Sequence, residues 1–104
     1  MFLFGKKFSM KDLQQIMEEK KVKVIDVRTK QEYEEGHIEG AVNIPMDKIE
    51  DTFEELFPKK EEDYYFYCHS GARSAMVSNY LKSMGYSNCH NVGSFLRWKG
   101  RIEK

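Results

Sequence analysis

The sequence predicts an α/β protein built on a central, mainly parallel sheet. Two observations lead there. Short β-branched or aromatic runs, such as residues 22–27 and 64–67, alternate along the chain with segments of helical spacing, and strands that alternate with helices give this architecture. No repeat, low-complexity stretch or Pro/Gly/Ser linker interrupts the alternation, so residues 1–104 read as one domain.

The elements follow in order. Ser9-Met10-Lys11-Asp12 resembles a capping box, with Leu13, Ile16 and Met17 at helical spacing behind it. Residues 22–27 are β-branched and of strand type. Thr29 and Glu32 form a second capping signal, opening a short helix that stops at Gly36. Residues 41–44 make a weak strand closed by Pro45. Asp47 then caps a helix whose face is Ile49, Phe53, Leu56 and Phe57. The charge run 59–63 reads as a solvated loop. Residues 64–67 form an aromatic strand that leads into Cys68. A helix follows Arg73, with Met76, Val77, Tyr80, Leu81 and Met84 as its apolar face and Gly85 as its stop. Residues 88–92 are a last short strand, and Phe95, Leu96 and Trp98 belong to a final helix.

Composition excludes several classes. The 17 basic side chains balance 17 acidic ones, which argues against a general nucleic-acid binder and against a protein held at a membrane by charge. The opening Met1-Phe2-Leu3-Phe4 is cut short by Gly5-Lys6-Lys7, too early for a signal peptide. No apolar run is long enough to span a bilayer. Two cysteines are too few for a stapled secreted domain, so a cytoplasmic location is expected.

The chemistry concentrates in Cys68-His69-Ser70-Gly71-Ala72-Arg73-Ser74. This segment begins where a buried strand ends and stops where a helix begins. A loop there can turn backbone N–H groups inward as an anion cradle, with Gly71 supplying the backbone freedom. A thiol over such a cradle becomes a thiolate readily. Arg73 adds a permanent charge with forked donors suited to an oxyanion or a persulfide, and Ser70 and Ser74 can donate further bonds. The parts make an activated sulfur nucleophile with a pre-organised anion site.

Cys-x-x-Gly-x-Arg-Ser resembles the active loop of rhodanese-like domains. The likeness extends to Asp26-Val27-Arg28, to the stretch from Glu32 through Gly36-His37-Ile38 to Pro45, to Gly85-Tyr86, and to Asn91-Val92-Gly93 through Trp98. It implies a rhodanese-like fold, with a sheet of about five short strands flanked by helices. It also implies sulfur transfer: Cys68 is the nucleophile, and His69, Ser70, Gly71, Ala72, Arg73 and Ser74 cradle the sulfur. Thiosulfate or a persulfide is the expected donor, and cyanide, a thiol or a protein acceptor the recipient. Four residues separate Cys68 from Arg73. The related cell-cycle phosphatases and arsenate reductases have a longer loop, so phosphatase activity is not expected.

Two departures qualify the likeness. Ser94 stands where the family commonly has a second glycine, which bears on the backbone path beside the pocket. Between Cys68 and Arg73 there is no Lys or Arg, so weak turnover of the dianion thiosulfate is expected. The alternative reading is a non-catalytic or redox-sensing module that binds a protein partner through Cys68. Asp26 and Arg28 share a strand face and read as a structural ion pair. His37 reads as scaffold. His37, His69 and His90 lack metal-ligand spacing, so neither metal nor cofactor is expected. Cys89, at the start of the last strand, is offset from Cys68 by about three residues, or roughly 10 Å. That is too far for a disulfide.

Overall fold

The computed structural model describes residues 8–104. The apolar opening, Met1 to Phe4, and the Gly5-Lys6-Lys7 that follows it lie outside the described residues.

Helix α1 spans Met10–Glu19. Its start is a reciprocal cap: Asp12 N–H donates to Ser9 Oγ at 3.1 Å, and Ser9 N–H donates to Asp12 Oδ2 at 2.9 Å. Each bond satisfies an amide that the helix leaves unpaired. Strand β1 is Lys23–Asp26. The same capping device opens α2 (Lys30–Glu35) through Thr29 and Glu32. Then follow β2 (His37–Ile38), β3 (Val42–Asn43), a 3-10 turn (Met46–Lys48), α3 (Ile49–Leu56) and β4 (Asp63–Cys68). The chain continues through α4 (Ala72–Ser83), β5 (Asn88–Ser94), a second 3-10 turn (Phe95–Arg97) and β6 (Ile102–Glu103).

The central sheet is parallel, in the order β3-β1-β4-β5. It has four strands, one fewer than expected. The remaining pairing is a separate antiparallel ribbon of β2 with β6. Among the described residues no helix is long and apolar enough to cross a membrane.

Helices cover both faces of the sheet, so β4 is buried from Tyr64 to Cys68 and its side chains alternate between two cores. Tyr64, Phe66 and Cys68 pack with Ile49 and Phe53 of α3 and Val77 and Leu81 of α4. Tyr65 and Tyr67 face the other way, against Met10 and Leu13 of α1. Phe53 is fully buried among Tyr64, Phe66 and Tyr86, with ring centroids 5.1–5.6 Å apart. Burying such a ring contributes about 2 kcal/mol. The buried tyrosines place their hydroxyls on acceptors: Tyr64 on Lys59 O at 2.6 Å, Tyr86 on Phe57 O at 2.7 Å.

Three element details differ from expectation. Asp47 makes no side-chain cap. It sits inside the 3-10 turn, and α3 starts at Ile49 behind Lys48. Helix α4 buries Ser74, Val77, Ser78 and Leu81, while Met76 and Met84 are exposed. Small serines let the helix lie close to the sheet, and they carry no hydrophobic signal. Phe95 and Leu96 form only a single 3-10 turn, after which Trp98 is extended. The stop of α4 is as expected. Tyr86 N–H reaches Leu81 O at 3.0 Å and Gly85 N–H reaches Lys82 O at 3.1 Å, a Schellman closure.

Candidate active site

Strand β4 ends at Cys68, and its two-residue period puts the thiol on the face covered by α4. Helix α4 begins four residues later. The sulfur therefore lies beneath the first turn of that helix, where backbone N–H groups have no helical partner. Gly71, at the N-cap, makes no side-chain cap bond. Instead its N–H donates to Cys68 Sγ at 3.0 Å. Ser74 Oγ lies 3.6 Å from the same sulfur.

Cys68 has no exposed surface. Burial pushes its thiol up, but hydrogen bonds from the Ser74 hydroxyl and the amides of Ser74, Gly71 and Ser70 outweigh that, and the net direction is down. Cys89 shows what burial does alone. It too is buried, and its thiol is pushed up to about 11, with only Lys82 opposing. Both cysteines are free. In the β4–β5 register Cys89 lies opposite Tyr64, four residues from Cys68, which fits the expected offset closely.

The end of β5 forms the wall behind the loop. Ser94 lies opposite Cys68, donates to His69 O at 2.6 Å and accepts from Leu96 N–H at 3.0 Å. Asn91 Nδ2 donates to Gly71 O at 3.3 Å, while its Oδ1 accepts from Gly93 N–H at 3.0 Å and from Ser74 Oγ at 2.6 Å. Gly71 has φ +99°, and a Cβ there would sit 3.3 Å from Gly93 Cα. Gly93 has φ +97°, whereas Ser94 is extended with φ −95°. Only the first of these two positions needs glycine, so Ser94 forces no detour of the backbone.

Of the residues expected around the sulfur, Ser70, Gly71 and Ser74 are brought to Cys68. His69 and Ala72 are exposed beside it, and His69 contributes its carbonyl to the strut from Ser94. Arg73 differs from expectation. Its fork does not stand open to the loop but grips Glu32 of α2, at 2.8 and 3.1 Å. The Arg73 bonds, opposed by desolvation, hold the Glu32 carboxyl down at about 2. Glu32, Asn91 and Ser94 were not singled out from the sequence as site residues. The signals there were the Thr29–Glu32 capping pattern, the Asn91-to-Trp98 motif and the departure at Ser94 beside the pocket.

Asp26 and Arg28 form the structural pair expected of them. Both are buried, 2.6 Å apart. Tyr67 Oη donates to Asp26 Oδ2 at 2.8 Å and accepts from Ile38 N–H at 3.1 Å. Arg28 also donates to Gly36 O at 2.7 Å and lies 4.4 Å from the Phe95 ring centre. His37, bonded to Tyr33 O at 2.7 Å and stacked on that ring, is scaffold.

The family model described as rhodanese-like domain matches residues 9–101. The chain belongs to that family. A rhodanese-like domain protein of Staphylococcus aureus has a crystal structure with TM-score 0.83 and 38% identity, covering 94% of this chain and 96% of its own. Among curated proteins, thiosulfate sulfurtransferase PspE of Escherichia coli (strain K12) is 33% identical over 66% of each chain. Thiosulfate:glutathione sulfurtransferase of Homo sapiens is 28% identical over 86% of this chain and 90% of its own. The chain spans 48–66% of the length of the first curated relatives it matches.

Proposed function

We propose that this rhodanese-like chain is a sulfurtransferase in which Cys68 carries the transferred sulfur as a persulfide. The observation that carries the reading is the sulfur itself: a fully buried thiol whose helix-terminal donors overcome the effect of burial. The Cys68 thiolate attacks the outer sulfur of the donor. A sulfur–sulfur bond forms at Sγ while the donor's own bond to that outer sulfur breaks, and sulfite or a thiolate leaves with the electron pair. An acceptor thiolate or cyanide then takes the outer sulfur and returns Cys68 as thiolate. Relatives named for thiosulfate and for glutathione support this class of donors and acceptors.

A persulfide of a small thiol or a protein is the favoured donor. Thiosulfate carries two negative charges, and the loop's one guanidinium is already paired with Glu32. A reducing compartment such as the cytoplasm suits two free thiols.

The test is intact mass of the protein before and after thiosulfate or glutathione persulfide, in wild type and Cys68→Ala. Wild type is expected to gain one sulfur atom, most readily from the persulfide, and to lose it to cyanide or a thiol. The variant is expected to fold and to gain none. A gain in the variant refutes Cys68 as carrier. No gain in wild type from either donor points instead to a binding or oxidant-sensing module.

A further inference from the structure

Ser74 lies buried in the first turn of α4, and its hydroxyl has three acceptors in reach. Asn91 Oδ1 is at 2.6 Å, Gly71 O at 3.1 Å and Cys68 Sγ at 3.6 Å. A hydroxyl has one proton to give. The distances rank the claimants: 2.6 Å is at the strong end for O–H···O bonds, while the contact to sulfur is long. The orientation of Asn91 is fixed independently. Its Oδ1 must accept from Gly93 N–H at 3.0 Å, while Nδ2 donates to Gly71 O. The oxygen, not the amide nitrogen, therefore faces Ser74. With its proton turned to Asn91, Ser74 shows Cys68 a lone pair, which suits a thiol S–H and not a thiolate.

We propose that Asn91 is a positioning residue that holds the Ser74 hydroxyl proton away from Cys68 until the sulfur ionises, and then yields it to the thiolate. The inference rests on Cys68 being the reacting sulfur. When solvent base removes the thiol proton, the Ser74 O–H turns from Asn91 Oδ1 to Sγ. No covalent bond to Ser74 changes, and Asn91 Oδ1 keeps the Gly93 N–H, so neither group is left bare. The hydroxyl thus aids the thiolate at the cost of its shortest bond, so its net help is smaller than that of a hydroxyl free to face the sulfur. A thiolate held less tightly keeps more of its nucleophilicity. Asn91 therefore trades ease of ionisation for reactivity at Cys68. The charged group coupled to the sulfur is Arg73, itself paired with Glu32, and the titratable neighbour in the loop is the exposed His69. They are common to every variant below, so their contribution drops out of the comparison.

The experiment measures the rate of alkylation by iodoacetamide against pH, in the reduced full chain with no sulfur donor. Peptide mass distinguishes Cys68 from Cys89. Wild type, Ser74→Ala, Asn91→Ala and the double variant are compared. Ser74→Ala alone is expected to slow the rate below the midpoint by no more than about threefold, because the bond the hydroxyl gives up to Asn91 offsets most of its help. Asn91→Ala leaves the hydroxyl a choice between Gly71 O at 3.1 Å and the sulfur. The charged thiolate is the stronger acceptor, so the midpoint falls and the rate at low pH rises about three- to tenfold, the worth of one hydrogen bond. Adding Ser74→Ala to Asn91→Ala is expected to abolish that rise. The proposal is overturned if the Asn91→Ala rise survives without Ser74, or if Ser74→Ala alone slows alkylation about tenfold. If Asn91→Ala does not fold, the Ser74→Ala profile decides alone. Failure of sulfur loading in the mass experiment, with these profiles as expected, would count against the transferase reading and not against Asn91.

Discussion

At the scale of single residues, two cysteines in one core end up with opposite tendencies. Both are buried, so the hydrophobic environment does not distinguish them. What differs is the supply of donors at the helix start, which only Cys68 reaches. Glu32 is the residue that best tests how the loop's charge is used. Glu32→Gln keeps a capping side chain for α2 but loosens the hold on Arg73. Freed toward the loop, Arg73 is expected to lower the KM for thiosulfate by up to about fivefold, the limit for one partly exposed charge. KM for a persulfide of an uncharged small thiol is expected to stay put. Steady-state kinetics with both donors checks this, and a fall for both would show that Glu32 acts through loop shape. The same pair has a pH signature. The Glu32 carboxyl is depressed from 4.5 to about 2 in the folded chain. Its stabilisation is therefore complete above about pH 4.5 and is lost as pH falls through about 2. Denaturation of wild type and Glu32→Gln should differ by at most about 1 kcal/mol at neutral pH and converge near pH 2. The loop was legible in sequence because its residues are contiguous. The partner of Arg73 was not, because it lies 41 positions away and its capping role explained it sufficiently.

At the scale of elements, the loop, the start of α4 and the end of β5 act as one unit. The contact that makes them so is Gly71 against Gly93. Both glycines have positive φ, but only at Gly71 would a Cβ meet backbone; at Gly93 it would find open space. Gly93→Ala is expected to cost about 1–2 kcal/mol from strain alone. Gly71→Ala should cost more and also slow alkylation of Cys68, since the N–H that serves the sulfur must move. Thermal melts with iodoacetamide kinetics check both, and equal losses would deny the contact any role. Local signals were the readable ones here. The caps at Ser9 and Thr29 and the stop at Gly85 involve neighbours within a turn. The β2–β6 ribbon was invisible because each two-residue strand exists only through its distant partner. The face of α4 was read correctly at Val77, Tyr80 and Leu81 but not at the exposed Met76 and Met84, because the buried serines that take their place look polar. Asn91 was read only as part of a motif and Ser94 only as a departure beside the pocket, since amides and hydroxyls near a strand end are common, and only the register places them against the loop.

For the whole molecule, the sheet separates two hydrophobic cores, and the Asp26–Arg28–Tyr67 network joins β1, β4 and the turn before β2. Burial drives Tyr67 strongly upward, so it remains a neutral donor. Breaking a buried pair by removing one partner costs about 3–5 kcal/mol, a large share of the 5–15 kcal/mol typical of a domain. Asp26→Ala is therefore expected to lower Tm by about 12 °C or more. Cys68→Ala removes one small side chain and should leave Tm within a few degrees. Calorimetry of both variants checks this, and a small loss in Asp26→Ala would mean that the pair is dispensable. The alternation of strands and helices made the parallel sheet readable from sequence, and the spacing of Asp26 and Arg28 made their pairing readable. The third member, Tyr67, was hidden within an aromatic strand where every residue looked like core.

The depth of the Cys68 sulfur has one more consequence. In the proposed transfer a second sulfur bound to it stands about 2 Å beyond an anchoring atom that has no exposed surface. The anchoring atom stays enclosed while its passenger faces the incoming thiol. An acceptor then meets the atom to be given away before it can reach the bond to the protein, and bulky thiols are kept from attacking the wrong sulfur and ending the cycle as a mixed disulfide.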